Sequence, residues 1–383
     1  MKTIAVFTGT RAEYGLLQPL INAIRNDEEL TLKLIVTGMH LSPEFGHTWH
    51  QIEEDGFKID EKVEMLLSSD TSTGTAKSMG LGIIGFADAL ARIKADCIII
   101  LGDRFEALAM AQTALIMRLP VIHIHGGEIT EGAYDDAIRH AITKLSHLHF
   151  ASTEEHRRRI IQLGEQPDTV FNVGAIGLDH IKKTDLMSSK ELSESLAFDL
   201  ESPYFVVTYH PVTLANEDAV KTFEALIAAV DHYKDYKVIV TWPNADDGGR
   251  NIIPLIEKWA AQHPKRIKAI PSLGYRRYLS AVKYSSAVIG NSSSGIIEVP
   301  SLNVATVNIG SRQKGRTAAA SVIDCEPTKE GIASAIQQAL AVTVNLSQTS
   351  IENPYGDGET TGRIMSQLKA FSPRKTKKFY DLN

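Results

Sequence analysis

Short, unbroken apolar runs alternate with longer segments of helical periodicity along nearly the whole chain. In the first half, Thr3–Thr8, Leu32–Thr37, Ala95–Leu101, Val121–His125, His147–Ala151 and Val170–Val173 read as strands. Amphipathic stretches such as Leu16–Asn26 and Phe105–Leu115 separate them. The second half repeats the pattern with Tyr204–Tyr209, Val238–Thr241, Ile267–Ile270, Ala287–Gly290 and Ala305–Ile309. Continuous Val/Ile/Leu runs are expected of strands covered on both faces, and strand–helix alternation implies right-handed crossovers and parallel pairing. Eleven such runs exceed one comfortable sheet, and the pattern restarts near residue 204. The expected fold is therefore α/β, with two doubly wound, Rossmann-like domains at 1–180 and 203–358 and a cleft between them. The Lys-, Ser- and acid-rich stretch Ile181–Ser202 reads as the seam. A (β/α)8 barrel is the rival, but it needs eight evenly spaced units rather than two groups. Met65–Gly82 reads as a mobile loop folding over the cleft. The basic tail Arg374–Lys378 reads as solvated or as an oligomer contact.

Composition narrows the function classes. At about 150 residues per domain, 383 residues fit two or three domains, and 43% hydrophobic content excludes a disordered chain. The only cysteines, Cys97 and Cys325, lie far apart, and Cys97 sits in an apolar run; a disulfide scaffold is excluded. No Cys/His spacing suits zinc, so no structural metal is expected. A formal charge of −6 argues against wrapping nucleic acid. Ile4–Phe7 is too short for a signal peptide, and no run approaches the ~18 apolar residues of a membrane span. A soluble cytoplasmic protein without membrane partners is the expectation.

In open α/β sheets, ligands sit beyond the carboxyl ends of strands, so polar clusters that follow strands are candidate site walls. Thr8-Gly9-Thr10-Arg11-Ala12-Glu13 lacks the dinucleotide and P-loop patterns; it is either a surface turn or a set of backbone N–H groups plus Arg11 facing an anion. In Gly102-Asp103-Arg104-Phe105-Glu106, Asp103 is either a helix cap or a catalytic carboxylate beside a phosphate ligand. The densest cluster runs from His123 to His140, with His125, Glu128, Glu131, Asp135 and Asp136. His123 and His125 would share one strand face, yet nothing completes a metal ligand set; the paired acids suit general acid/base work. His210 closes the first strand of the second half, as a phosphate or leaving-group contact or as a structural histidine. Gly290-Asn291-Ser292-Ser293-Ser294-Gly295 offers hydroxyl and N–H donors to a diphosphate, with Glu298 one turn on for ribose hydroxyls; a plain helix cap is the alternative. Carboxylates in one half and diphosphate donors in the other suit an enzyme acting on a nucleotide-activated sugar.

At these residues the sequence resembles the UDP-N-acetylglucosamine 2-epimerase family, which has the two-Rossmann-domain GT-B architecture. The match spans nearly the whole chain. It includes Gly9–Glu13, Gly102–Arg104, Asp135–His140, Gly290–Glu298 and Asn353-Pro354-Tyr355-Gly356-Asp357-Gly358. Gly102–Leu108 and Asn308–Gln313 are similar to the hydrolysing branch, which releases UDP and N-acetylmannosamine on the way to sialic acid; the non-hydrolysing branch only inverts C2. The resemblance implies that Arg11, Arg104 and His210 contact the diphosphate or reacting sugar. It implies that Asn244, Asp246, Ser292, Ser293, Glu298 and Arg312 hold the uridine nucleotide, and that Asp103 and Asp135 are catalytic. Related enzymes often carry a glutamate two residues after the strand histidine. Here that position is His125, with Glu128 three further on, so either His125 takes the acid/base role or Glu128 reaches the same space. The resemblance also implies a helix over 361–372 crossing back to the first domain, no metal or redox cofactor, and a homodimer or homotetramer. The same reaction on a UDP-2,4-diacetamido-trideoxyhexose is a close variant that the sequence does not separate.

Overall fold

A computed structural model describes every residue except 68, 70, 131–133, 212–217, 244–248, 347–350, 373–376 and 383. The chain divides into two compact units, Met1–His180 with Tyr355–Asn383, and Ile181–Pro354. In chain order the first unit carries β1 (Lys2–Thr8), β2 (Leu30–Thr37), β3 (Glu61–Val63), β4 (Cys97–Leu101), β5 (Val121–Ile124), β6 (Leu148–Ala151) and β7 (Val170–Asn172). They form one parallel sheet in the order β3-β2-β1-β4-β5-β6-β7. The second unit carries β8 (Tyr204–Thr208), β9 (Lys237–Thr241), β10 (Ile267–Ile270), β11 (Ala287–Gly290), β12 (Thr306–Ile309) and β13 (Val322–Cys325). Its parallel order is β10-β9-β8-β11-β12-β13. Both orders are doubly wound, reversing direction between β1 and β4 and between β8 and β11.

Burial explains the sequence pattern. Along β4, Ile99 and Leu101 enter one apolar cluster while Ile98 and Ile100 enter the cluster on the opposite face. Along β8, Phe205 and Val207 alternate in the same way with Tyr204 and Val206. A strand covered on both faces has no polar side to show, and each fully buried aliphatic side chain contributes about 1.5–3 kcal/mol.

Several expectations change. Two edge strands, β3 and β13, join the eleven expected, and both are only partly buried. The segment read as a loop over Met65–Gly82 becomes helical from Ser72 and runs to Ile93. Its glycines let it lie close to the sheet: a Cβ at Gly85 would stand 2.5 Å from Val63. The stretch read as a seam holds the helix Ser189–Leu196, closed by a Ser188/Glu191 capping box, and buries Leu192 and Leu196 in the second unit's core. No described helix is long and apolar enough to cross a membrane.

The C-terminal segment belongs to the first unit. Helix Thr360–Ala370 buries Ile364 and Leu368 in the same cluster as β1 and β4. Asp179 accepts hydrogen bonds from Thr360 N (2.8 Å) and Thr361 N (2.6 Å) at its start. Lys2 Nζ donates to the carbonyls of Leu368 (2.8 Å) and Phe371 (2.5 Å) at its end. The basic tail is not simply solvated: Lys377 Nζ lies 2.8 Å from Glu165 Oε2 and donates to the carbonyls of Lys144 and Ser146. Arg374 lies outside the described residues. Glu165, 2% exposed, also meets Lys144 Nζ at 2.5 Å and His149 Nε2 at 3.1 Å. Burial opposes its charge, but the His149 contact and the two lysines outweigh it and hold the pKa at about 2. This group therefore stabilises the fold above pH 4.5, and its contribution is lost as pH falls through about 2. Lys377→Ala is expected to cost about 2 kcal/mol near neutral pH, less than the 3–5 of a wholly stranded charge because Lys144 remains. Urea unfolding checks it; an unchanged midpoint would show that the tail contributes nothing.

Candidate active site

The reversal points at β1/β4 and β8/β11 are where the carboxyl-end polar residues converge. Thr8–Arg11 and Gly102–Arg104 leave the first pair, and Tyr209–His210 and Asn291–Ser293 leave the second.

At the end of β1, Thr10 is the N-cap of helix Arg11–Arg25, and Thr10 with Glu13 forms a capping box. Glu13 Oε2 accepts from Gly9 N (2.7 Å) and Thr10 N (3.2 Å), so two amides expected to face an anion are already occupied. Arg11 is exposed on the first helical turn. Arg104 is held by a two-point contact to Glu106, Nε–Oε2 at 3.2 Å and Nη2–Oε1 at 3.1 Å, and Glu106 is 1% exposed. Withdrawal from solvent, reinforced by Glu106, moves the Glu13 pKa from 4.5 to about 7 despite its two N–H donors and Arg104. A cavity of about 750 Å³ opens beside the Arg104–Glu106 pair, lined also by Met39, Met65 and Phe105.

Asp103 is not a helix cap. Arg104 is the N-cap residue of helix Phe105–Ile116, and Asp103 Oδ2 instead accepts from Arg139 Nη2. Arg139, 4% exposed on helix Tyr134–Leu145, gathers the cluster: Nη1 donates to the Glu128 carbonyl (2.8 Å) and Asp136 Oδ1 (3.3 Å), and Nη2 donates to Thr130 Oγ1 (2.9 Å). Asp135 lies on the first turn of that helix. Its pKa is raised by withdrawal from solvent and then by Asp103, against the pull of Arg104 and Arg139.

The two histidines do not share a strand face. β5 ends at Ile124, and His125 turns into the left-handed region at φ +66. Such backbone in a non-glycine residue costs energy and recurs at functional sites. His123 is fully buried between the Gly102 carbonyl (2.8 Å) and Thr143 Oγ1 (3.1 Å), and burial lowers its pKa to about 3. His125 Nδ1 faces Glu128 Oε1 at 3.6 Å. Glu131 lies outside the described residues.

In the second unit, Asn291 organises the switch point. It is 1% exposed; its side chain donates to the His210 carbonyl and accepts from His210 N, both at 2.7 Å. Its own carbonyl accepts from Arg312 Nη1 (3.0 Å) and Gln313 Nε2 (2.9 Å). Ser292 caps the helix Ser293–Ile297, whose five residues give little macrodipole, so local hydroxyl and N–H donors carry any anion contact. Glu298 follows that helix and accepts from Ser294 Oγ, which also takes the Tyr278 hydroxyl at 2.9 Å. Burial raises its pKa. Asn244 and Asp246 lie outside the described residues. Among the described residues, no group of three or more His, Cys, Asp or Glu is placed to hold a metal.

Reading single clusters missed Arg139, Glu106 and Asn291 as organisers. Arg139 stands at i+3 from Asp136, the spacing of a helical ion pair, which was a usable signal.

Two doubly wound units of this form place the chain among α/β proteins of the GT-B type. The solved UDP-GlcNAc 2-epimerase from Neisseria meningitidis, bound to UDP-GlcNAc, has this fold with a TM-score of 0.76 at 20% identity, over 97% of this chain and 100% of that one. The family model described as UDP-N-acetylglucosamine 2-epimerase matches residues 22–369, and the chain belongs to that family. It is 42% identical to the "GDP/UDP-N,N'-diacetylbacillosamine 2-epimerase (hydrolyzing)" of Campylobacter jejuni, over 85% of this chain and 84% of that protein. It is 38% identical to the "Polysialic acid biosynthesis protein P7" of Escherichia coli, over 100% of this chain and 97% of that protein.

Glu13 keeps its proton to about pH 7 when folded and loses it near 4.5 when unfolded. The stability it brings is whole below pH 4.5 and is lost as pH rises through 7. Glu13→Gln keeps an oxygen for both amides and has no proton to lose, so it is expected to lose less stability than the parent between pH 5 and pH 8. Urea midpoints at the two pH values decide; parallel losses would refute the assignment.

Proposed function

We propose that this protein is a hydrolysing UDP-N-acetylglucosamine 2-epimerase, converting UDP-GlcNAc and water to N-acetylmannosamine and UDP in the cytoplasm for sialic-acid-type biosynthesis. The observation that carries the proposal is a pair of neighbouring acids: Asp103, just after β4, accepts from buried Arg139, while Asp135, on the first turn of the helix Tyr134–Leu145, is pushed toward its protonated form by burial and by Asp103. Environments that drive neighbouring carboxyls apart supply one fixed charge and one proton carrier. In this reading UDP leaves C1 by elimination, with Arg11, Arg104 and His210 stabilising the departing charge. Oxocarbenium character at C1 acidifies the C2 hydrogen. Asp103 faces that charge, and Glu128 with His125 takes the C2 proton. Asp135 then protonates C2 of the resulting N-acetylglycal with inversion, and water adds its hydroxyl to C1, its own proton replacing the one Asp135 gave up. Ser292, Ser293, Glu298 and Arg312, with Asn244 and Asp246, hold the uridine nucleotide. A homodimer or homotetramer is the proposed assembly.

A second reading, the same reaction on a diacetamido-trideoxyhexose, is favoured by one observation, the activity for which the 42% identical relative is named. Steady-state kinetics on both UDP-sugars separate the two. Incubation with UDP-GlcNAc in deuterated water is expected to yield UDP and N-acetylmannosamine labelled at C2; intact UDP-N-acetylmannosamine would move the protein to the non-hydrolysing branch. Asp103→Asn is expected to lower kcat by roughly 10²-fold or more. Wild-type turnover in that variant would remove the acid pair from the mechanism.

A further inference from the structure

The Glu128 carboxylate stands at one end of a buried chain of hydrogen bonds that the chemistry above does not use. Ser152, fully buried just after β6, places Oγ 3.1 Å from Glu128 Oε1 and 2.9 Å from His156 Nδ1. A hydroxyl has one proton, and an ionised carboxylate only accepts. Ser152 therefore donates to Glu128 and accepts from His156 Nδ1–H. The His156 ring is 3% exposed, and burial lowers its pKa to about 4, so it is the neutral Nδ1–H tautomer that completes the chain.

The opposite side of Glu128 is equally ordered. His125 Nε2 accepts the Ile176 N–H at 3.3 Å, which leaves the ring proton on Nδ1, the nitrogen facing Glu128 Oε1. The turn that carries Glu128 is seated on the helix that carries His156. Gly127 sits at φ +79, and a Cβ there would stand 2.4 Å from the His156 carbonyl oxygen. Thr153 Oγ1 caps that helix, accepting from His156 N at 3.1 Å. Among the described residues, Arg139 and Arg159 donate to the carbonyls of Glu128 and Gly127, and Glu155, on the His156 helix, pairs with Arg159 at 2.8 Å.

We propose that Ser152 and His156 are positioning residues for Glu128, fixing the orientation of its carboxylate and holding it ionised for transfer of the C2 proton. The proposal rests on Glu128 being the base, as assigned above. It also accounts for the departure at His125: the residue in the usual glutamate position turns its Nδ1 toward a glutamate three residues on, at 3.6 Å, and the serine–histidine pair grips that glutamate from behind.

The test is steady-state kinetics from pH 5 to 9 on Ser152→Ala, His156→Phe, His156→Asn and Glu128→Gln. Ser152→Ala is expected to lower kcat about 10- to 100-fold, the worth of a hydrogen bond to a charged group, with KM within about twofold. The acid limb of its kcat profile moves to higher pH, because a carboxylate that loses a donor is harder to ionise. His156→Phe shifts the limb in the same direction and decides the matter should Ser152→Ala not fold. His156→Asn, which keeps an N–H near the Nδ1 position, restores it. Adding Ser152→Ala to Glu128→Gln lowers kcat no further. A wild-type kcat and acid limb in Ser152→Ala and His156→Phe, with Glu128→Gln inactive, would overturn the positioning role and leave the base standing. Full activity in Glu128→Gln would overturn the base assignment itself.

Discussion

One buried cation dictates the geometry of the first unit's site. A guanidinium withdrawn from water is tolerated only if its donors are matched, and leaving such a charge unpaired costs several kcal/mol. Arg139 meets that demand with acceptors from the end of β4, the turn after β5 and its own helix. Asp103, 36 residues from Arg139 in the chain, is thereby locked to the turn and the helix that follow β5. The carboxylate of Asp103 is held in one orientation by that contact, and in the proposed reaction this is the preorganisation that stabilises developing charge without reorganisation cost. Asp135 shares the neighbourhood, and burial together with Asp103 raises its pKa against the pull of Arg104 and Arg139.

The second unit solves the equivalent problem with a neutral group. Asn291 spends its amide on the backbone of His210 and its carbonyl on Arg312 and Gln313. An amide makes these contacts without introducing charge into the buried end of the sheet. The two switch points thus differ in electrical character: one gathers carboxylates around a buried guanidinium, the other gathers N–H and hydroxyl donors around a neutral amide.

How much of this was legible beforehand follows from the same physics. Strands covered on both faces announce themselves as unbroken apolar runs, so β4 and β8 were plain in the sequence. Glu61–Val63 and Val322–Cys325 are edge strands with little apolar surface to register. Helix Ser72–Ile93 was hidden because its close approach to the sheet uses glycines, which read locally as loop. At the site, Asp103 and Arg104 were visible because they terminate a strand. The capping pair Thr10 and Glu13 has the S/T-x-x-E spacing and was available to be read. The organising roles of Ser152, His156 and Asn291 were not, since each acts through a partner brought near only by the fold; Asn291 and His210 lie 81 residues apart in the chain.

The docking of helix Thr360–Ala370 against β1 bears on how the protein is made. Ile364 and Leu368 complete the first unit's core, yet they are synthesised after the whole of Ile181–Pro354. At 5–20 residues per second, those 174 residues impose a wait of roughly 9–35 s on the ribosome. The inserted unit is contiguous and can close first, whereas the N-terminal sheet emerges early with the groove for its last helix still open. Order of synthesis and order of completion are therefore inverted in this chain, and the early-emerging half is the one exposed to misassembly.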